Sequence, residues 1–335
     1  MSPSRSLLAG LGLGLAAALL PLAAHAQDTL LNASYDVSRE LYKEINPAFS
    51  AFWKKQKGAD IAVNQSHGGS TKQALSVSQG LEADVVTLNQ PTDLDFLASK
   101  NVIAADWKTK FPHDAAPYTT TSVFLVRKGN PKGIKDWSDL AKEGISVVIP
   151  NPKTSGNGRY TYLAAWGYAL ETEKSPEKAR AFVAKLFGNV PVFDGGGRGA
   201  TTTFTQRDVG DALVTFENEV ALVAAEFGDK FDVVYPSLSI EAAPPVAINE
   251  IVTKKRNSGE AAKAYLDFLF SADAQAIIAK HNFRPRDEAV LKANASRFPE
   301  IKTFKLEQHF AGWAEAQKEH FADGGVYDQI TAKSN

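Results

Sequence analysis

Cysteine is missing from this 335-residue chain. Disulfides, thiol catalysis and Cys-ligated zinc or iron–sulfur centres are therefore excluded. An excess of either charge is missing too: 37 Lys and Arg face 38 Asp and Glu, for a formal net charge of −1. Nucleic acid and anionic membrane surfaces select basic patches, so neither is expected as the main partner. Beyond the N-terminal stretch, no apolar run reaches the roughly 20 residues that span a bilayer. There is no internal repeat, no low-complexity tract and no charged linker. What is present is 44% hydrophobic and 22% charged residues, the balance of a folded soluble protein.

The N-terminus reads as an address. Arg5 supplies a positive start, Leu7 to Leu22 is an uncharged Leu/Ala/Gly run, and Ala24-His25-Ala26 has the small-x-small pattern of a signal-peptidase site. Residues 1–26 are predicted to be a cleaved signal peptide, with the mature chain starting near Gln27. The run is too short and too broken by Gly and Pro to anchor the protein. Without Cys no lipid can be attached at the cleavage site. The expected location is the periplasm.

Apolar runs of strand length then alternate with helical patterns. Thr29–Tyr35, Asp60–Gln65 and Ala83–Leu88 are predicted strands; between them lie a helix through Leu41, Ile45, Phe49 and Phe52 and another from about Thr71 to Ser78. This βαβαβ succession implies a parallel sheet covered by helices. After the β-rich segment Thr119–Arg127 a second series follows, with strands at Ser146–Ile149, Val190–Phe193, Ala212–Phe216 and Phe231–Tyr235. Its helices are Tyr160–Leu170 and Pro176–Phe187. Pro244-Pro245 precedes a strand at Val246–Val252, and Ala261–Ala279 is the longest helical stretch of the tail. The expected architecture is α/β in two lobes, with residues 27–118 plus 246–335 forming lobe 1 and 119–245 forming lobe 2. A cleft between such lobes collects strand C-termini and helix N-termini and is a default ligand site.

Four loops between a strand and a helix stand out: Asn32 to Arg39, Gln65 to Lys72, Asn151 to Arg159, and Asp194 to Phe204. They are rich in Gly, Ser and Thr. A helix N-terminus offers free N–H donors and about half a positive charge, so four such loops from both lobes point to an anion. A dianion held by six or seven hydrogen bonds of about 1.5–3 kcal/mol each could reach about −8 kcal/mol, micromolar binding, once the cost of association is subtracted. Gly68-Gly69-Ser70-Thr71-Lys72 lacks the upstream Gly and the Gly-Lys pair of a P-loop, which argues against a nucleotide.

These loops, in this order and spacing, closely resemble the periplasmic sulfate/thiosulfate-binding proteins of ABC importers. The likeness runs from about Leu30 to the end, and Gln65-Ser66-His67-Gly68-Gly69-Ser70 and Asn151-Pro152-Lys153-Thr154-Ser155-Gly156-Asn157-Gly158-Arg159 are its most specific parts. The resemblance implies a type II periplasmic binding protein that closes on its ligand like a hinged clamp. It implies that a fully ionised oxyanion is held by the N–H groups of Asp36, Ser70, Gly156, Asn157 and Gly197 and the hydroxyl of Ser155. Arg198 lies in a ligand loop. Phe216 stands where the sulfate-selective branch has a Trp indole donor, and Gly156-Asn157-Gly158-Arg159 also follows the thiosulfate-binding branch. Thiosulfate is therefore expected to bind at least as well as sulfate. The resemblance further implies delivery to a membrane ABC permease by a monomer, without a cofactor.

The rival readings are a clamp of this fold for molybdate or phosphate, or a secreted esterase acting on sulfonate or phosphate esters. His67 beside Ser66 and Ser70 could suggest a nucleophile with its base, but no Gly-x-Ser-x-Gly elbow is present, and a loop-stabilising role is expected. Asp36 must turn its carboxylate from the anion, and pairing with the Arg198 or Arg39 guanidinium is expected to allow this. Glu217 and Glu219, two apart, would share a face if their segment is a strand.

Overall fold

Strand β1 (Asp28–Tyr35) is buried on both faces from Asn32 onward, as a central parallel strand should be. The computed structural model to which it belongs describes residues 28–332; the signal peptide expected at 1–26 lies outside them. Helix α1 (Arg39–Lys57) packs through Leu41, Ile45, Phe49 and Trp53, one turn apart. It stops at Gly58, whose φ of 69° lets the N–H return to the Lys54 carbonyl. β2 (Ile61–Gly68), α2 (Ser70–Ser78), β3 (Val85–Thr87) and α3 (Pro91–Ser99) complete the first series. β1 lies between β2 and β3 and is parallel to both.

β4 (Tyr118–Arg127) carries the chain into a second sheet. There follow β5 (Val147–Pro150), α4 (Gly156–Glu173), α5 (Pro176–Gly188), β6 (Phe193–Asp194), α6 (Gly197–Thr205), β7 (Ala212–Phe216), α7 (Glu217–Phe227), β8 (Phe231–Val234) and β9 (Ser239–Ala242). β5 is parallel to β6 and β7, while β4 is antiparallel to β7, β8 and β9. β10 (Val246–Ile248) then returns to the first sheet, antiparallel to β3, and gives the order β10-β3-β1-β2. α8 (Glu250–Arg256), α9 (Gly259–Phe268) and α10 (Ala272–Lys280) pass to β11 (Arg284–Pro285), which pairs with the start of β4. The fold is that of a type II periplasmic binding protein, two α/β lobes with a cleft between them.

The structure differs from the sequence expectation in local ways, each with a cause. The strand expected at Val190–Phe193 begins only at Phe193, because Pro191 has no N–H to give a ladder. β10 ends at Ile248, where the Asn249 side chain accepts from the Val252 N–H and starts α8. The tract Ala261–Ala279 is two helices, the second capped by Ser271.

The tail departs most. It was expected to sit wholly with lobe 1, yet β12 (Thr303–Phe304) pairs with β9 of the second sheet. Phe304 is buried there, against Gly167 of α4. Further on, the rings of Phe321 and Tyr327 lie against Tyr162, which also hydrogen-bonds His320. The open edge of β9 and the apolar face of α4 recruit this segment.

Candidate functional site

Six helix starts meet at the seam between the lobes. In the first lobe the C-terminal ends of β1, β2 and β3 lead into the 3-10 turn Asp36–Ser38 ahead of α1, into α2 behind Gly69, and into α3 behind Gln90. In the second, β5, β6 and β7 lead into α4 behind Ser155, α6 behind Gly196 and α7 behind Phe216. The first N–H groups of each helix have no carbonyl one turn back. Their partial positive charges therefore gather where the lobes touch.

The loops approach more closely than side chains would allow. A Cβ on Gly69 would lie 2.5 Å from the Thr154 carbonyl oxygen and 2.7 Å from that of Gly195. Thr154 Oγ1 in turn donates to the Gly195 carbonyl, 3.1 Å, so two loops of the second lobe present one surface to Gly69. A groove of about 380 Å3 runs along this seam, lined by Asp36, His67, Gly69 and Lys72 on one side and Thr154, Gly195 and Gly196 on the other.

The candidate ligand residues belong to the strand-to-helix turns that form this seam, and Asp36 lines the groove itself. Gly197 backs onto Val37 and onto Asn157. Asn157 Nδ2 donates to Thr215 Oγ1, 3.2 Å, beside Phe216. Phe216 itself is fully buried with its ring edge-on to Tyr160 at 5.9 Å, so it brings an apolar ring and no donor to the start of α7. Ser70 and Ser155 occupy equivalent places but differ in how their hydroxyls are used. Ser70 Oγ donates to Asp93, 2.6 Å, and accepts from the Asn89 N–H, 2.8 Å, which leaves only its backbone N–H to offer. Ser155 Oγ accepts from the Gly158 N–H, 3.4 Å, and keeps its own proton available.

Lys72 lines the groove, but the three cations of the second-lobe loops are engaged elsewhere. Lys153 Nζ donates to the carbonyls of Phe321 and Ala322 and to Asp328, at 3.0, 3.1 and 2.9 Å. Arg159 reaches Pro152 and Thr92. Arg198 pairs with Glu219 at 3.0 Å. Glu219 is fully buried, also accepts from Thr201 Oγ1 at 2.9 Å, and its carboxyl is pushed up to about 7 by that burial, which outweighs the attraction of Arg198.

The expected guanidinium partner of Asp36 is replaced by a backbone donor. Asp36 Oδ2 accepts from the Arg198 N–H, 3.1 Å, across the seam, and burial raises its pKa against that bond. Once Glu219 takes the guanidinium, the main-chain N–H at the start of α6 is the donor left for Asp36. Glu217 and Glu219 begin a helix rather than share a strand face. Glu217 pairs with Arg284 at 2.8 Å, separately from Glu219. His67 finds no serine as a catalytic partner: Ser66 Oγ lies 3.2 Å from Gln73 and Ser70 Oγ bonds Asp93. Burial, with help from Arg39, lowers the His67 pKa to about 4, so it is neutral.

The model of the family described as bacterial extracellular solute-binding protein matches residues 32–284. The chain belongs to this family. Among its relatives, this solute-binding protein is 56% identical to the thiosulfate-binding protein of Pseudomonas aeruginosa, over 92% of this chain and 93% of that one. It is 51% identical to the sulfate-binding protein of Escherichia coli, over 96% and 99%. Among solved structures, the sulfate-binding protein SubI of Mycobacterium tuberculosis superposes with a TM-score of 0.81 at 29% identity, covering 88% of this chain and all of that one. A periplasmic thiamin-binding protein, 17% identical with a TM-score of 0.65 over 87% of this chain and 94% of that one, shares the fold. The solute-binding protein is thus a sulfate/thiosulfate-binding-protein homologue, and among its described residues no helix is long and apolar enough to cross a membrane.

Sequence reasoning missed Asn89 and Asp93, and it named Glu219 without its partner Arg198. Leu88-Asn89-Gln90-Pro91 is a strand-to-helix turn like the others, with Pro at the helix start as its signal. It lacks the Gly/Ser richness that marked the four loops.

Proposed function

We propose that this protein captures thiosulfate and sulfate in the periplasm and delivers them to an ABC permease. The observation that carries the reading is the meeting of six helix starts at a seam where Lys153, Arg159 and Arg198 are all committed to protein partners. An unprotonated oxyanion is then held by the N–H groups of Asp36, Ser70, Gly156, Asn157 and Gly197 and by the Ser155 hydroxyl, with Arg198 neutralising Glu219 from behind. Phe216 leaves room and apolar contact for the terminal sulfur of thiosulfate. Hydrogen phosphate carries a proton that needs an acceptor; leaving it against N–H donors costs about 1–3 kcal/mol. The lobes hinge near 118/119 and 245/246, where β4 and the chain before β10 cross, while β12 and the tail beyond it return to the second lobe; closure excludes water from the bonds and strengthens them. The protein works as a monomeric carrier and not as an enzyme, consistent with relatives named as binding proteins.

Calorimetric titration with thiosulfate, sulfate, molybdate and phosphate tests this. Thiosulfate at least as tight as sulfate, with phosphate not bound, is the expected result. Tight sulfate with no thiosulfate binding overturns the preference, and no binding of either overturns the function.

A further inference from the structure

Between the first turns of α2 and α4 lies a carboxamide that the described hydrogen bonds leave incomplete. Asn89 is 1% exposed. Its main-chain N–H is tied to Ser70 Oγ at 2.8 Å, and Ser70 in turn to Asp93, so its position at the start of α2 is fixed. Its side chain crosses the seam and lies flat on Gly156, the first residue of α4. A Cβ there would meet Asn89 Oδ1 at 2.5 Å and Asn89 Cβ at 2.6 Å. Oδ1 is buried with no hydrogen-bond partner. An orphan buried acceptor costs about 1–3 kcal/mol, and native proteins keep few of them. Both of its neighbours are helix N-termini, so the local potential is positive and suits an anion, not an additional cation.

We infer that Asn89 is a specificity-determining residue that contacts the anion. Its carboxamide NH2 donates to the bound oxyanion at the seam, alongside the N–H groups at the starts of α2 and α4. Rotation of the amide plane by 180° exchanges Oδ1 for Nδ2 without moving the backbone, so loading the site converts an unsatisfied acceptor into a satisfied donor. The inference rests on the proposed oxyanion function and adds a side-chain donor to the main-chain ones. A neutral amide can turn a donor to an unprotonated dianion, whereas a carboxylate in the same place would repel it. Asp93, joined through Ser70, and Arg159, which donates to Thr92 at 3.2 Å, are charged groups tied to the same turn.

The isosteric Asn89→Asp variant and the apolar Asn89→Leu variant test this, titrated with thiosulfate at several pH values beside the wild type. At pH 8, Asn89→Asp is expected to lose about 100-fold in affinity, two decades on the binding scale. Binding should return as pH falls and the new carboxyl gains a proton to donate. Asn89→Leu should lose about tenfold at every pH. Unfolding of each unliganded variant within a few degrees of wild type shows that the fold is kept. A purely structural role predicts no pH dependence, so Asn89→Asp binding within threefold of wild type at pH 8, or a loss that pH does not reverse, overturns the inference alone. A wild type that binds no oxyanion overturns the function and this inference together.

Discussion

Ser70 and Ser155 stand at matching places in the two lobes, each where a parallel strand hands over to a helix, yet their hydroxyls do opposite things. The Ser70 hydroxyl is spent inside its own lobe on Asp93 and Asn89; Ser155 accepts from Gly158 and retains a free proton. The first lobe thus uses its polar side chains to hold its loops rigid. The second offers its loops to the seam and has them held from behind, by Lys153 on the tail and by Arg198 on Glu219. One residue type at one topological position can be scaffold or donor, and the partner within 3 Å decides which.

The comparison breaks most sharply at Gly69, where the lobes touch. Gly69→Val overlaps the Thr154 and Gly195 carbonyls; relieving such overlap costs about 2–3 kcal/mol or more, so thiosulfate affinity should fall about 100-fold. The unliganded protein should melt as before, since an open cleft tolerates the side chain. Calorimetry paired with a thermal melt checks both halves.

Ser155→Ala removes a hydroxyl donor to a charged acceptor, worth about 1.5–3 kcal/mol, and should weaken binding about 10- to 100-fold. Ser70→Ala should do the converse. Asp93 loses a donor, unfolding stability drops by about 1–3 kcal/mol, and anion affinity changes less than about fivefold. Equal affinity losses in the two variants would abolish the distinction between them.

Glu219 sharpens the contrast through pH. Its folded-state pKa, raised to about 7 from 4.5, means that the native chain keeps a proton the unfolded chain has released between those values. Its contribution to stability is therefore complete below about 4.5 and is lost as pH rises through 7, at up to about 1.4 kcal/mol per unit. Glu219→Gln should flatten that slope in urea unfolding followed from pH 5 to 7.5.

The smallest effect is expected at Asp36. An amide oxygen still accepts from the Arg198 N–H, so Asp36→Asn should hold thiosulfate affinity within about threefold. A loss beyond tenfold in the same titration would mean that the charge, not the acceptor, matters across the seam.

Much of this was legible in the chain. The strands β1 to β3 and helix α1 show in apolar runs and in Leu41, Ile45 and Phe49. The glycine- and serine-rich turns announce helix starts on their own. Other features depend on distant partners and leave no local trace. β9 is four residues, Ser239–Ala242, with no alternation to mark it, and the docking of β12 depends on the free edge that β9 supplies. The choice of Arg198 for Glu219 rather than Asp36 is settled by burial of Glu219, which sequence spacing does not encode. Asn89 was invisible because its turn carries a Pro and a Gln and none of the Gly and Ser that mark the others.

The path of the backbone has a consequence for how the molecule comes into being. The first sheet lacks its edge strand until Val246–Ile248 emerges to pair with β3, and the second lacks its outermost strand until Thr303–Phe304 reaches β9. Neither half can be completed during most of translation, so maturation is postponed until nearly all of the polypeptide has been made. If the chain is exported as proposed, such a delay would keep it threadable until it has left the compartment of its synthesis.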